Sequence, residues 1–250
     1  MIVFDRVTFG YNAKPILNEL SFQVDPGEKI AILGGSGEGK TTILKLIVGL
    51  IRPDSGRILI EGEDITHKTE EELNDVRRKF SIVFQAGALF DSLTVKENVA
   101  FCLREYTKMT EDEIDAKVRE LLRLVDLEPA IHLMPAELSG GMHRRVAIAR
   151  SLAVHKPIMM LYDEATAGLD PVNSDNICNL IVELSSFGMG HMMVTHKVVD
   201  ALKVADRFLF LEGGTVVFDG GADELLASGH PHIRTFVDEL RYQPKVSGKR

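Results

Sequence analysis

What this chain lacks narrows it first. No stretch reaches the roughly 18 consecutive apolar residues of a membrane span. The opening MIVFDRVTFG has no basic n-region and no long apolar run, so no signal peptide is expected. The expectation is a soluble, cytosolic protein; if it works at a membrane, another chain supplies the spans. A basic surplus is missing too: 29 Lys and Arg stand against 37 Asp and Glu, a net charge of −8. That balance argues against nucleic acid as a partner, which would need a basic face. Cysteine is scarce. Cys102 and Cys178 lie in apolar helical patterns, which predicts buried thiols.

What is there suits one large α/β domain with a smaller subdomain inserted: 250 residues, 45% of them hydrophobic. The runs KIAIL (29–33), SIVF (81–84), IMMLY (158–162) and MMVT (192–195) are short and nearly continuously apolar. Each reads as a strand buried on both faces of a parallel sheet. Helical patterns alternate with them, and three begin at capping-box spacing: Thr69 with Glu72, Thr94 with Glu97, Thr110 with Glu113. Three helical stretches between 94 and 154 have no strand among them, which predicts a helical subdomain inserted into the α/β core. Residues 2–25 and 207–218 read as antiparallel strands, with EGGT (212–215) as a hairpin turn. The tail QPKVSGKR reads as a solvated end.

Each buried strand is followed by a polar group. A glycine loop starts at Gly34, Gln85 follows SIVF, Asp163 and Glu164 end IMMLY, and His196 follows MMVT. Ligands of an open parallel sheet bind outside the carboxyl ends of its strands, so four strands deliver chemistry to one edge. The loop Gly34, Gly35, Ser36, Gly37, Glu38, Gly39, Lys40, Thr41 fits G-x-x-x-x-G-K-[ST], with Thr42 next. In such a loop backbone amides wrap phosphate, Lys40 reaches the β/γ oxygens and the Thr41 hydroxyl can ligate Mg²⁺. Asp163 is the expected second anchor for Mg²⁺, and Glu164 is placed to activate the attacking water. His196 is read as a γ-phosphate contact, and Gln85 gains weight only from its position. Tyr11 either stacks on adenine or fills the core of its strand.

The phosphate loop alone leaves kinases, GTPases, recombinases and transport ATPases open. A second anion seat, at the start of the helix in LSGGMHRRVAIAR (138–150) with Arg144 and Arg145 in its first turns, decides among them. With it, the chain resembles the ATP-binding-cassette (ABC) ATPases over nearly its whole length. Tyr11 matches their adenine-stacking position, 34–42 their Walker A loop, Gln85 the Q-loop, LSGG the signature, and IMMLYDE the Walker B motif. AGLD ending at Asp170 matches the D-loop, and His196 the switch histidine.

The resemblance implies a P-loop NTPase core with parallel sheet, an antiparallel β region and an inserted helical subdomain. On it, 1–250 is a single cassette: 1–85 and 156–225 form the RecA-like core with its β region, 86–155 the helical signature subdomain, and 226–250 a C-terminal helix and tail. It also implies a homodimer with ATP and Mg²⁺ as ligands, Gln85 joining Thr41 and Asp163 around the metal. Ser139, Gly140 and Gly141 of one subunit would close over the γ-phosphate held by Lys40 of the other. Met142 replaces a common glutamine and Ala165 a common proline; neither touches phosphate by its chemistry.

Within that family, FQAGALFDSLTVKENVAFCLRE (84–105) and LMPAELSGGM resemble the cassettes of Mce-type lipid transporters, including the maintenance-of-lipid-asymmetry (Mla) systems. This implies a peripheral subunit on the cytoplasmic face of an inner membrane, with a membrane permease and an Mce-domain lipid-binding chain. A small regulatory subunit is left open. The alternatives are a cassette for another solute, such as amino acids, and a non-transport cassette acting on DNA or ribosomes. The latter usually has two cassettes or long coiled insertions, which this chain lacks. Residues 86–103, apolar for a connection beside a polar site, are read as a partner surface, with packing of Leu89 and Phe90 in the core as the alternative.

Overall fold

The computed structural model describes residues 1–11, 14–238 and 240. Two long strands, β1 (Ile2–Tyr11) and β2 (Lys14–Val24), open the chain, followed by β3 (Lys29–Gly34) and helix α1 (Lys40–Ile47). Next come β4 (Ser55–Ile60), β5 (Glu63–Asp64), α2 (Glu70–Arg77) and β6 (Phe80–Val83). The helices α3 (Val95–Tyr106), α4 (Glu111–Leu124) and α5 (Gly140–Ser151) follow. The chain then alternates β7 (Met159–Asp163), α6 (Pro171–Ser186), β8 (Gly190–Thr195) and α7 (Val198–Val204). It continues with β9 (Arg207–Glu212), β10 (Thr215–Gly220), α8 (Ala222–Leu226) and α9 (Pro231–Asp238).

The four apolar runs are β3, β6, β7 and β8, and they lie side by side as parallel neighbours in the order β10-β9-β3-β8-β7-β6. A second, antiparallel sheet has the order β2-β1-β4-β5. The parallel strands are apolar throughout because both faces are covered. Ile30 and Ile32 point into a core shared with the antiparallel sheet, α1 and α2. Ala31 and Leu33 point into the opposite core, under α3 to α7. Side chains alternate across a strand, so one strand feeds two cores, and each fully buried large aliphatic contributes about 1.5–3 kcal/mol.

Two strand assignments differ from the sequence pattern. β9 was expected to be purely antiparallel; it pairs antiparallel with β10 but parallel with β3, from Ile30↔Arg207 to Gly34↔Leu211. A hairpin signal reports only the local partner, not the strand that docks on the far side. SGRILI (55–60) carries too few apolar residues to stand out, yet it becomes β4 because β1 offers it an edge. The capping boxes are all present: Thr69, Thr94 and Thr110 accept from the backbone N–H of Glu72, Glu97 and Glu113, whose carboxylates accept back. Such caps are each worth about 1 kcal/mol. Cys178 is buried and Cys102 only half-buried. The QPKVSGKR tail lies outside the described residues.

Candidate active site

Strand register decides where the chemistry gathers. Leu33 lies opposite Thr195 and Asp163 opposite Val194, so the Gly34 loop, the Asp163–Glu164 pair and Thr195–His196 leave the sheet at one edge. The loop wraps tightly against β2. At Gly39 (φ 96°) a Cβ would come within 2.7 Å of the Leu17 side chain and 2.9 Å of Ile16, so only glycine fits. Lys40, 7% exposed, donates to the carbonyls of Gly34 (2.9 Å) and Gly35 (2.8 Å) and lies 4.0 Å from Glu164 Oε1. Burial lowers the ammonium's pKa, while Glu164 and Asp163 pull it back up.

The Thr41 hydroxyl donates to Asp163 Oδ1 at 2.8 Å. Burial raises the Asp163 pKa, a shift opposed by that hydrogen bond and reinforced by the neighbouring Glu164 charge. Two hard oxygen donors touching at the mouth of a phosphate loop fit Mg²⁺, which takes one or two protein oxygens plus phosphate and water. Glu164 sits at φ 50°, the left-handed region, and its amide donates to Val194 O at 2.9 Å. Its Oε1 lies 2.9 Å from His196 Nδ1, and its Oε2 accepts from the Thr195 hydroxyl at 3.4 Å. A non-glycine residue at such φ is strained, and strain of this kind gathers at functional sites.

The remaining loop positions divide. Ser36 and Gly37 are exposed and Thr42 is buried. Glu38 reaches the β9–β10 turn, its Oε2 accepting from Gly213 N–H at 2.7 Å. Tyr11 is 48% exposed and meets the edge of Phe9 at 4.9 Å, so it lies at the surface and not in the strand core. Gln85 is exposed just beyond β6.

The second seat is built separately. Ser139 caps α5, accepting from Met142 N–H at 3.3 Å. Asp170 caps α6, accepting from the amides of Val172 and Asn173 (both 3.0 Å) and from the Asn173 side chain (2.5 Å). A Cβ on Gly141 would lie 2.7 Å from Asn173 Oδ1, and one on Gly140 3.1 Å from Leu169. The signature and the Asp170 loop therefore pack as one unit. Among the described residues, no hydrogen bond ties that unit to the chain's own phosphate loop.

Arg144 and Arg145, in the first turns of α5, are engaged elsewhere than at its N-terminus. Arg144 is buried and donates to Phe84 O at 2.6 Å; Arg145 donates to Val125 O at 3.2 Å. Burial lowers the Arg144 pKa against the pull of Asp163. With Arg150, which donates to Gly87 O (2.9 Å) and Ala88 O (2.7 Å), Arg144 grips the segment on either side of Gln85. Sequence reasoning missed this grip. Its only trace is two arginines on a helix whose other residues, Val146 to Ala149, are buried.

Beyond Gln85, buried Asn98 exchanges hydrogen bonds with the Phe90 backbone and donates to the carbonyls of Leu93 and Thr94. Leu89 packs partly into the core, whereas Phe90 is 42% exposed and paired with Phe101 at 4.8 Å. Nearby lies a cleft of about 670 Å³ between α2, β6, α3 and α5, with Phe80, Ile82, Tyr106, Arg78, Arg150 and His155 in its walls. No described helix is long and apolar enough to cross a membrane.

Comparison with known proteins identifies the family. The ABC transporter family model matches residues 17–167. The chain is 40% identical over 239 residues to the intermembrane phospholipid transport system ATP-binding protein MlaF of Escherichia coli K12, covering 95% of this chain and 88% of that one. It is 39% identical over 244 residues to the chloroplastic protein TRIGALACTOSYLDIACYLGLYCEROL 3 of Arabidopsis thaliana, covering 91% and 70%. A dimeric ATP-binding cassette solved in a post-hydrolysis state with ADP and Pi superposes with a TM-score of 0.81 at 31% identity, covering 88% of this chain and 98% of that one. The buried lysine, the strained glutamate and the separate capped signature thus belong to an ATP-binding, ATP-hydrolysing cassette, and the chain is a member of the ABC transporter family.

Proposed function

We propose that this cassette powers an inner-membrane phospholipid transporter of the Mla type, working as a homodimer that closes around two ATP. The observation that carries the catalytic half is Glu164, held between Lys40, Thr195 and His196 at the mouth of the phosphate loop. Lys40 and the amides of residues 34–42 hold the β- and γ-phosphates, and Tyr11 stacks on adenine. Thr41 and Asp163, joined by Gln85, hold Mg²⁺, which screens the phosphate charge when bound. Glu164 takes a proton from water as the water oxygen attacks the γ-phosphorus. The bond from that phosphorus to the β–γ bridging oxygen breaks, giving ADP and inorganic phosphate. His196 contacts the γ-phosphate.

Ser139, Gly140 and Gly141 act in trans on the partner's nucleotide, with Asp170 at the same interface. That no hydrogen bond among the described residues ties them to the chain's own phosphate loop supports this. An exposed helix N-terminus holds an anion by only about 0.3–1 kcal/mol, so the seat matters once another subunit brings a phosphate already bound. Residues 86–155 are proposed as the helical signature subdomain and 1–85 with 156–225 as the core.

The cleft beside Phe90 is the proposed seat of a permease's cytoplasmic helix. Its walls mix aromatic and aliphatic groups with arginines, the composition of strong protein contacts. The phospholipid reading rests on the near-full-length similarity to MlaF. An Mce-domain lipid-binding chain and a small regulatory subunit complete the proposed complex on the cytoplasmic face of the membrane. Reconstitution of the complex with labelled phospholipid tests it. ATP-dependent lipid movement is expected, and ATP turnover that moves another solute instead would overturn the lipid assignment.

A further inference from the structure

We infer that Glu38 is a positioning residue for nucleotide binding, fastening the phosphate loop to the β9–β10 hairpin. A carboxylate two residues before Lys40 is out of place in a loop that receives an anion, since like charges repel. Its negative charge acts on the Lys40 ammonium. Yet the side chain is used: Oε2 accepts from Gly213 N–H at 2.7 Å, across 175 residues of sequence. A charge-assisted bond to a backbone amide is among the stronger kinds of hydrogen bond.

The acceptor would be of little use if the hairpin itself were loose, and it is not. Gly214 O accepts from Asn18 N–H at 3.0 Å, and the Thr215 hydroxyl donates to Glu212 O at 3.0 Å. Glu212 Oε1 lies 2.5 Å from His232 Nδ1, and Glu212 Oε2 lies 3.5 Å from His230 Nε2. The turn is thus fixed to β2 on one side and to the start of α9 on the other. β2 also supplies the Ile16 and Leu17 walls against Gly39. Glu38 adds a polar tie to this apolar packing, and both hold the loop where its amides converge.

Two effects of opposite sign follow from one side chain. The tie favours nucleotide binding by keeping the loop in its binding shape; the charge opposes binding through repulsion of phosphate. The bond is direct, at 2.7 Å, whereas the repulsion acts through solvent that screens it at the exposed mouth of the loop, so the tie wins. The inference rests only on ATP binding by the cassette and not on the identity of what is transported.

The test uses the full-length chain as wild type, Glu38→Ala and Glu38→Gln, with steady-state ATP hydrolysis, a thermal melt and amide exchange at Gly213. Glu38→Ala should raise KM for ATP roughly five- to tenfold, the size expected for one ordinary, solvent-exposed hydrogen bond, with little change in kcat. The Gly213 amide should exchange faster while the melting temperature holds. Glu38→Gln keeps an oxygen acceptor without the charge, so it should recover most of the lost affinity and the Gly213 protection. A wild-type KM in Glu38→Ala, with or without a lower melting temperature, would overturn the inference. So would a Glu38→Gln chain as weak as Glu38→Ala, since the charge and not the hydrogen bond would then be what matters.

Discussion

Glu164 and His196 meet through a carboxylate oxygen and an imidazole nitrogen 2.9 Å apart, at the ends of adjacent parallel strands. A carboxylate only accepts, so Nδ1 carries the hydrogen and Nε2 is left for another contact. Replacing Glu164 with Gln leaves an oxygen for the same hydrogen bond and removes only the basicity. Turnover should therefore fall by ~10² or more while ATP still binds and holds the dimer closed. Single-turnover hydrolysis alongside size-exclusion chromatography with ATP checks this. Near-normal turnover would give Glu164 another role.

The proposed action of Ser139 on the partner's nucleotide leads to a mixing experiment. In a dimer of Lys40→Ala with Ser139→Arg, one composite site carries both lesions and the other carries none. Each pure variant has two damaged sites. Mixed dimers should regain ATP-dependent closure that neither pure sample has, read by cross-linking across the interface. Equal failure of mixed and pure samples would count against sharing of the site.

Phe90 is exposed and held in place by Phe101 and the Asn98 backbone clamp rather than by the core. Phe90→Asp should melt close to wild type and bind ATP, yet lose its permease on co-purification. A much lower melting temperature would make Phe90 a core residue. Normal retention of the permease would remove it from the interface.

His191 supplies a pH dependence unrelated to catalysis. It is buried at the start of β8, its Nδ1 2.7 Å from the Ser185 hydroxyl, and burial pushes its pKa down from 6.5 to about 4. The unfolded chain thus binds the proton first. Stability from this group is intact above pH 6.5 and drains away as pH falls from 6.5 toward 4, by at most about 3 kcal/mol. Acid melts should show a shallower decline over that window for His191→Asn than for wild type; identical slopes would exclude His191 as the cause.

Much of this site is legible because its parts are local. The phosphate loop and the helix caps are written in consecutive residues, and so is the pairing of an apolar run with a carboxylate at its end. Asp163 and Glu164 could be placed at the sheet edge from IMMLYDE alone. What stayed hidden depends on pairs distant in sequence. Arg144 with Phe84 O, Glu38 with Gly213 N–H and β9 with β3 each join segments 60 to 177 residues apart. In the first two of these contacts one partner is main chain, which looks alike at every position of the sequence. Gly141 is the converse: its need for glycine comes from Asn173, a neighbour that no local pattern announces.

The grip of Arg144 and Arg150 has a consequence for how such a subunit diversifies. Both guanidinium groups hold carbonyl oxygens, of Phe84, Gly87 and Ala88, and Arg150 also lies over the Phe90 ring at 5.7 Å. Main-chain oxygens survive almost any substitution, so the exposed Ala86 and Phe90 can drift with a partner while the linkage to the nucleotide end of the sheet persists. Descendants of one ancestral motor can thereby be refitted to new cargo machines by changes at a few surface positions, with the drive train inherited intact.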